Sequence, residues 1–400
     1  MSTSPSVETI QHRAISVVMA SQVFSGAGLA AGVTVGGLLA ADMLHTTSLA
    51  GLPSALFTFG SAGTALAVGR LSQRLGRRAG LTAGYAAAAI GGAGVVLAAA
   101  IDTIPLLLVS LLVYGAGTAT NLQARYAGTD LAGPGRRGRA VSSVLVATTL
   151  GAVAGPNLVG PTGRFAESLG IPALAGPFLL AAVAYAVAGL ILFVLLRPDP
   201  LLVARARIAE VAPPGPRSAT GVMAGAATMV LTQLVMVAVM TMTPVHMQAH
   251  GHGLEATGLV IAVHIAAMYL PSPITGFLVD RFGRTPVAVA SGITLLAAGV
   301  VSATAPSDSV ALLTLALALL GLGWNLGLVA GTAMIADAAS PRVQGNVDLL
   351  IALSGAGGGI TSGFVMAATS YATLSIAGGV LALAVIPFVA VSGRALIGKP

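Results

Sequence analysis

The sequence predicts an all-α integral membrane protein made of two pseudo-symmetric bundles of six helices. Three observations lead there. Of 400 residues, 56% are hydrophobic and 8% charged, which leaves too few polar groups to solvate a globule of this size. The apolar residues fall into about twelve runs, each near the roughly 20 residues that a helix needs to cross about 30 Å of hydrocarbon. Basic charge is rich in every second connection and poor in those between. The runs are too long, and alternate too little, for the strands of a membrane barrel.

Taken in order, the first run, 14–40, follows a polar start from Met1 to Arg13 with no small-residue cleavage site after it, so no cleavable leader is expected. The second, 49–69, leads into a loop with Arg70, Arg74, Arg77 and Arg78. Runs 80–100 and 104–126 flank Asp102 and are followed by Arg136, Arg137 and Arg139. Runs 141–162 and 173–196 flank Arg164 and Glu167. A long segment then sets Arg197, Arg205, Arg207 and Arg217 among Pro198, Pro200, Pro213, Pro214 and Pro216, the composition of a linker. Runs 219–243 and 256–277 flank Glu255 and precede Arg281 and Arg284. Runs 286–305 and 309–332 flank Asp308 and precede Arg342, and runs 346–369 and 372–394 lead to Arg394 and Lys399. The chain thus divides into a bundle over 1–196, a linker over 197–218 and a bundle over 219–400.

Arginine gathers on one side of this pattern, so both termini and the Arg-rich loops are expected in the cytoplasm, with the chain crossing the cytoplasmic (inner) membrane many times. The net charge of +7 then reads as topology and as contact with the anionic headgroups of the lipid bilayer; no nucleic-acid partner is expected. No phosphate-binding loop precedes a Lys, no Ser, His and acid set lies outside the apolar runs, and glycine runs such as Gly355 to Gly359 read as close helix packing. An enzyme is not expected.

The chemistry available inside the membrane is concentrated between Met236 and Met268. Met236 and Met240 are four apart in the seventh run, His264 and Met268 four apart in the eighth, so each pair lies on one face of its helix. Three thioethers and an imidazole are ligands that suit Cu(I), and the chain has no cysteine to offer instead. Methionine is also the flexible filler of packed interiors, a reading that needs no metal. An ionisable side chain inside a span is costly, however, and His264 is a functional candidate for that reason. Between the pairs, His246, Met247, His250 and His252 sit in a polar turn, either a solvated loop or a first point of metal capture. With the seventh helix ending near Thr243 and the eighth starting near Ala256, Met240, then Met236 and His264, then Met268 form a descending ladder. Gln22, Ser25, Tyr114, Asn121, Gln233, Tyr269, Trp324 and Asn325 are polar residues within the runs, most of them read as interhelical hydrogen-bond partners. Gln233 lies one turn from Met236 and is a candidate cavity residue. No Asp or Glu is placed near the middle of any run.

A repeat joins the halves: Gly69, Leu71, Arg74, Gly76 and Arg77 reappear about 207 positions later as Gly276, Leu278, Arg281, Gly283 and Arg284. GRLSQRLGRR and GFLVDRFGRT resemble the cytoplasmic signature of the major facilitator superfamily. The resemblance implies that fold, transport without ATP, and switchable charge contacts at a cytoplasmic gate formed by Arg74, Arg77, Asp280, Arg281 and Arg284. Gln73 stands where the signature usually has Asp, so Arg125, Asp130 or Asp280 is expected to carry more of the pairing. Gly151, Gly155, Pro156 and Gly160 resemble the antiporter signature of drug exporters.

The paired Met/His motifs resemble those of the CcoA-like copper importers, the CalT group of the superfamily. That resemblance implies copper import by alternating access, with Met236, Met240, His264 and Met268 as ligands and copper as cargo; no cofactor is expected, and the working unit is expected to be a monomer. The same group contains close relatives that resemble riboflavin importers, and His264 with the Ser272-Pro273 step is shared with facilitators for drugs, so the alternative is a carrier of organic solutes, a riboflavin-type importer or a multidrug exporter.

Overall fold

The protein is described from a computed structural model, over residues 6–44, 52–211 and 219–390. Every regular element among them is helical. In chain order these are α1 (Val7–Met43), α2 (Leu52–Leu75), α3 (Arg77–Ala100), α4 (Ile104–Tyr114), α5 (Ala116–Thr129), α6 (Arg137–Asn157), α7 (Val159–Ser168), α8 (Gly176–Leu195) and α9 (Pro200–Val211). They continue as α10 (Ala219–Ala249), α11 (Leu254–Tyr269), α12 (Ser272–Phe282), α13 (Arg284–Thr304), α14 (Val310–Ala338), α15 (Pro341–Ala368) and α16 (Tyr371–Ala382). Ten helical stretches among the described residues are long and apolar enough to cross a membrane. α1 and α2, of 37 and 24 residues, overlap the first two predicted runs and extend past them, so that Arg70 and Arg74, read as loop residues, are helical.

Local chemistry explains the helix ends. The hydroxyls of Ser6, Ser309 and Ser370 accept the first free N–H groups of α1, α14 and α16. The signature glycines Gly76 and Gly283 start α3 and α13 at φ +94 and +92°, a region that costs glycine nothing and other residues strain.

Several boundaries differ from those expected. The eighth run breaks at Leu270-Pro271 into α11 and α12, because Pro271 and Pro273 supply no N–H to the helix ladder. The fourth and fifth runs break near Gly115 and Leu158. α10 runs through Pro244 to Ala249, six residues past the expected end, so His246 and Met247 are helical and the turn spans only the residues after them. The segment read as a linker carries α9; Pro213, Pro214, Pro216 and Arg217 lie outside the described residues, as do Arg394 and Lys399.

The chain forms two compact units. The first comprises 1–132, 143–215 and 340–352, and the second 133–142, 216–339 and 353–400. Thus the first turns of α15 belong to the first unit and the first turn of α6 to the second. The core of the first unit is a cluster of buried rings, Tyr85, Tyr114, Phe178 and Tyr185, with centroids 5.4 to 5.9 Å apart. Several polar groups around it are joined: Tyr85 donates to Gln22 Oε1 at 2.6 Å, Gln22 Nε2 donates to Thr148 at 3.1 Å, and Asn121 Nδ2 donates to Ser25 at 2.7 Å. This is how buried polar groups in hydrocarbon are satisfied.

In the second unit α14 is the hub, packed against α10, α11, α12 and α13. Glycines make that possible. A Cβ on Gly321 would sit against the His264 carbonyl, one on Gly323 would lie 2.7 Å from the Leu295 side chain, and one on Gly327 would lie 2.6 Å from the Thr232 side chain.

The signature glycines play the same part in both units. A Cβ on Gly69 would lie 2.9 Å from Gly345 and the Pro341 carbonyl at the start of α15. One on Gly276 would meet Ser142 and lie 2.6 Å from the Gly138 carbonyl at the start of α6. Gly276→Ala is therefore expected to destabilise the protein by about 1 to 3 kcal/mol through overpacking. Gly357→Ala, where an added Cβ has nothing within 4 Å, should not lower stability. Thermal unfolding of both variants in the same detergent checks this, and equal midpoints would refute the close-contact role.

Candidate functional site

Three polar side chains on three helices of the second unit meet at one place. Trp324 on α14 donates its Nε1–H to Gln233 Oε1 on α10 at 2.7 Å, and the Tyr269 ring at the end of α11 stands edge-on to the indole, 5.8 Å between centroids at 73°. Gln233 and Tyr269 are half-buried and Trp324 is buried. Among the described residues, neither Gln233 Nε2 nor the Tyr269 hydroxyl makes a hydrogen bond to another side chain or carbonyl. The cluster thus offers aromatic surface and two polar tips. It is held in place by Asn325, which donates to the Met268 carbonyl and to Ser272, both at 2.7 Å, and accepts from Thr275 at 2.6 Å. Asn325 thereby splints the break between α11 and α12.

The four expected metal ligands lie on α10 and α11. Met236, His264 and Met268 are buried and Met240 is half-buried. α10 and α11 each pack along α14 and touch one another little, so the ring and amide contacts that connect them pass through Trp324. His264 Nδ1 lies 2.8 Å from the Leu317 carbonyl. A carbonyl only accepts, so Nδ1 carries the proton and Nε2 presents a lone pair, buried and without a hydrogen-bond partner. The longer α10 replaces the expected ladder by two tiers. Measured from Ala249 and Leu254 at about 1.5 Å per residue, Met240 and His264 lie near 14 and 15 Å, Met236 and Met268 near 20 and 21 Å.

At the α10–α11 turn the histidines are tethered. The His246 ring stacks on Tyr371, 4.3 Å between centroids at 13°, and lies 4.3 Å from the His250 ring. His250 Nδ1 is 2.8 Å from the His246 carbonyl, and His252 Nε2 is 2.6 Å from the Ser307 carbonyl. Met247 is fully buried on α10, which puts its sulfur out of reach of the solvent beyond the turn.

The signature residues form a third group. In the second unit Asp280 accepts the N–H groups of Gly138 at 2.8 Å and Arg139 at 3.1 Å, with the exposed Arg139 guanidinium 3.7 Å away. A carboxylate at the start of α6 is favoured by the free N–H groups and the helix dipole. Its counterpart in the first unit is Gln73, whose Oε1 is buried without a partner. The start of α15 is held there by other groups. Arg77 donates to both oxygens of Asp130, at 2.8 and 3.0 Å, and to Gln344 at 2.7 Å. Arg125 donates to Asp348 at 2.7 Å, and both are fully buried. Asp130 and Arg125 thus carry pairing in the first unit, as the Gln73 substitution led one to expect. Arg74 and Arg281 are exposed and take part in no ion pair among the described residues, and Arg284 is half-buried.

Residues 14–360 match the Major Facilitator Superfamily. The chain belongs to that superfamily. It is 59% identical over 396 residues to an uncharacterized MFS-type transporter of Bacillus subtilis (strain 168), YdeG, covering 96% of this chain and 92% of that one. To the riboflavin transporter RfnT of Brucella anthropi it is 32% identical over 345 residues, 84% of each protein. Among solved structures, the human organic anion transporter MFSD10 superposes with a TM-score of 0.76 at 17% identity, over 94% of this chain and 99% of that one. The proton:xylose symporter XylE gives 0.71 at 14% identity, over 96% of each. These two structures show the fold.

Two members of this facilitator's charge cluster escaped the sequence reading. Position 348 falls at the very start of the run 346–369, but α15 begins five residues earlier at Pro341 and places Asp348 about 10 Å along it. Gln344 gave no signal, being an uncharged residue in what looked like a loop. The pairing predicts a non-additive response. Arg125→Met alone leaves Asp348 buried without its partner and should cost roughly 3 to 5 kcal/mol, while Arg125→Met with Asp348→Leu should recover most of that loss. Thermal unfolding of the single and double variants measures it; additive losses would mean that the pair does not act as a unit.

Proposed function

We propose that this facilitator carries a small organic molecule with a flat ring system, by alternating access, across the cytoplasmic membrane, with both termini in the cytoplasm and a monomer as the working unit. The observation that carries the reading is the cluster of Gln233, Tyr269 and Trp324, where two aromatic rings and two unspent polar tips gather around one indole. A flat heteroaromatic ring packs on such surfaces and uses edge hydrogen bonds for orientation. The riboflavin transporter to which the chain is 32% identical makes riboflavin the first solute to test, with import as its direction. Nothing in the cluster requires chemistry on the cargo.

Copper import in the manner of the CcoA-like group is a second reading, favoured by His264. Its Nε2 lone pair is buried and unpartnered, and imidazole is a ligand for Cu(I). Met240 at the same depth and Met236 with Met268 one turn further would be the sulfur donors.

The two readings separate in one experiment. Cells lacking their own riboflavin and copper uptake, expressing this chain, are assayed for both. Riboflavin uptake is expected, and Trp324→Leu and Gln233→Ala should each reduce it about tenfold or more, as losing one good aromatic or polar contact does. Copper accumulation that disappears in Met236→Leu and Met268→Leu, with no riboflavin uptake, would replace the first reading by the second.

A further inference from the structure

The geometry points to Asp348 as the proton-binding site of this transporter, its protonation releasing the first turns of α15 from α5. This rests on the chain being a secondary transporter and holds for either cargo. Ionisable side chains buried within the spans are the candidates for coupling. His264 is one, but its imidazole is fastened to the Leu317 carbonyl through Nδ1, so a proton arriving on Nε2 leaves that tie between α11 and α14 in place. Asp130 is gripped through both oxygens by Arg77 at the end of α5. Asp348 differs from both, because it is held through one oxygen only, and that ion pair with Arg125 ties α15 to α5.

Proton binding and pairing compete for the same carboxylate. While Asp348 is ionised it accepts from Arg125 at 2.7 Å; once it takes a proton it becomes neutral and the ionic tie is lost. Whatever binds one of two exclusive states shifts the balance towards it, so protons favour the released state of α15. Arg125 can tolerate the release. It also donates to the Leu122 carbonyl and to the Tyr126 hydroxyl at 3.0 Å, and its guanidinium lies 4.3 Å from the Tyr126 ring centroid. A buried Arg with these partners is not orphaned when the carboxylate is neutralised, unlike one whose only partner is an acid. The charged and titratable groups facing Asp348 are Arg125 and Tyr126 on α5 and Arg77 on α3, the last bridged to α15 by Gln344. On deprotonation the proton leaves to the aqueous side then open, and Arg125 closes on the carboxylate again.

The absence of cysteine provides a test that involves no cargo. Val347, beside Asp348 and buried, is changed to Cys, and its rate of maleimide labelling in the purified full chain is divided by that of the exposed Ser168→Cys control at each pH. The normalised rate is expected to rise as pH falls, by up to about tenfold per unit, the limit for one linked proton. Asp348→Asn should label fast at every pH, and Asp348→Glu should keep the slope. Should Asp348→Asn fail to fold, Arg125→Gln decides. Without the competing cation the midpoint should move at least one unit to higher pH. A slope that persists in Asp348→Asn, a midpoint unmoved in Arg125→Gln, or a flat wild-type profile would overturn the assignment. Loss of riboflavin or copper uptake alone would bear on the cargo and not on this site.

Discussion

Backbone contact at glycine is the constraint on which the remaining contacts depend. Lipid tails are as apolar as the side chains, so helices in a bilayer gain from meeting only through tight packing and internal hydrogen bonds. In this chain the tight places are specific. Gly69 lies on the start of α15, Gly276 on the start of α6, and Gly321, Gly323 and Gly327 on three neighbours of α14. Only at such separations can Arg77 reach Gln344, Arg125 reach Asp348, or Asp280 reach the N–H groups of α6. The charges at these helix starts follow from the glycines; they do not replace them.

The two copies of the signature use one geometry with different electrostatics. Around Asp280 a carboxylate meets free N–H groups, an interaction that one residue supplies and that the exposed Arg139 alters little. Around Gln73 the carboxylate is missing, and the work passes to guanidinium groups buried in the first unit. Asp199 adds to this side: it accepts the N–H of Arg78 at 2.7 Å and those of Leu201 and Leu202 at 3.0 and 3.2 Å, capping α3 and α9 together. A carboxylate thus returns to the neighbourhood of Gln73 from 126 positions along the chain.

The fold was legible because its signals are local. Twelve apolar runs, alternating arginines and one repeated signature need no knowledge of distant contacts. Boundaries set by tertiary packing were not legible. Pro244 reads as the end of a helix, yet α10 continues and buries Met247, which no local rule shows. Gln233, Tyr269 and Trp324 each stood out as polar within a run, but their meeting depends on α14 lying between α10 and α11. Arg125 and Asp348 are 223 residues apart, and neither announces the other.

The packing of α14 also limits how this transporter can diversify. A helix whose contact faces are glycine has no slack, since any larger residue there displaces a neighbouring backbone or a packed side chain. Substitutions are therefore absorbed more readily on α10 and α11, where side chains such as Gln233, Met240 and Tyr269 are half-buried and have room to vary. A fixed spine with adjustable flanks lets the sequence drift without refounding its core.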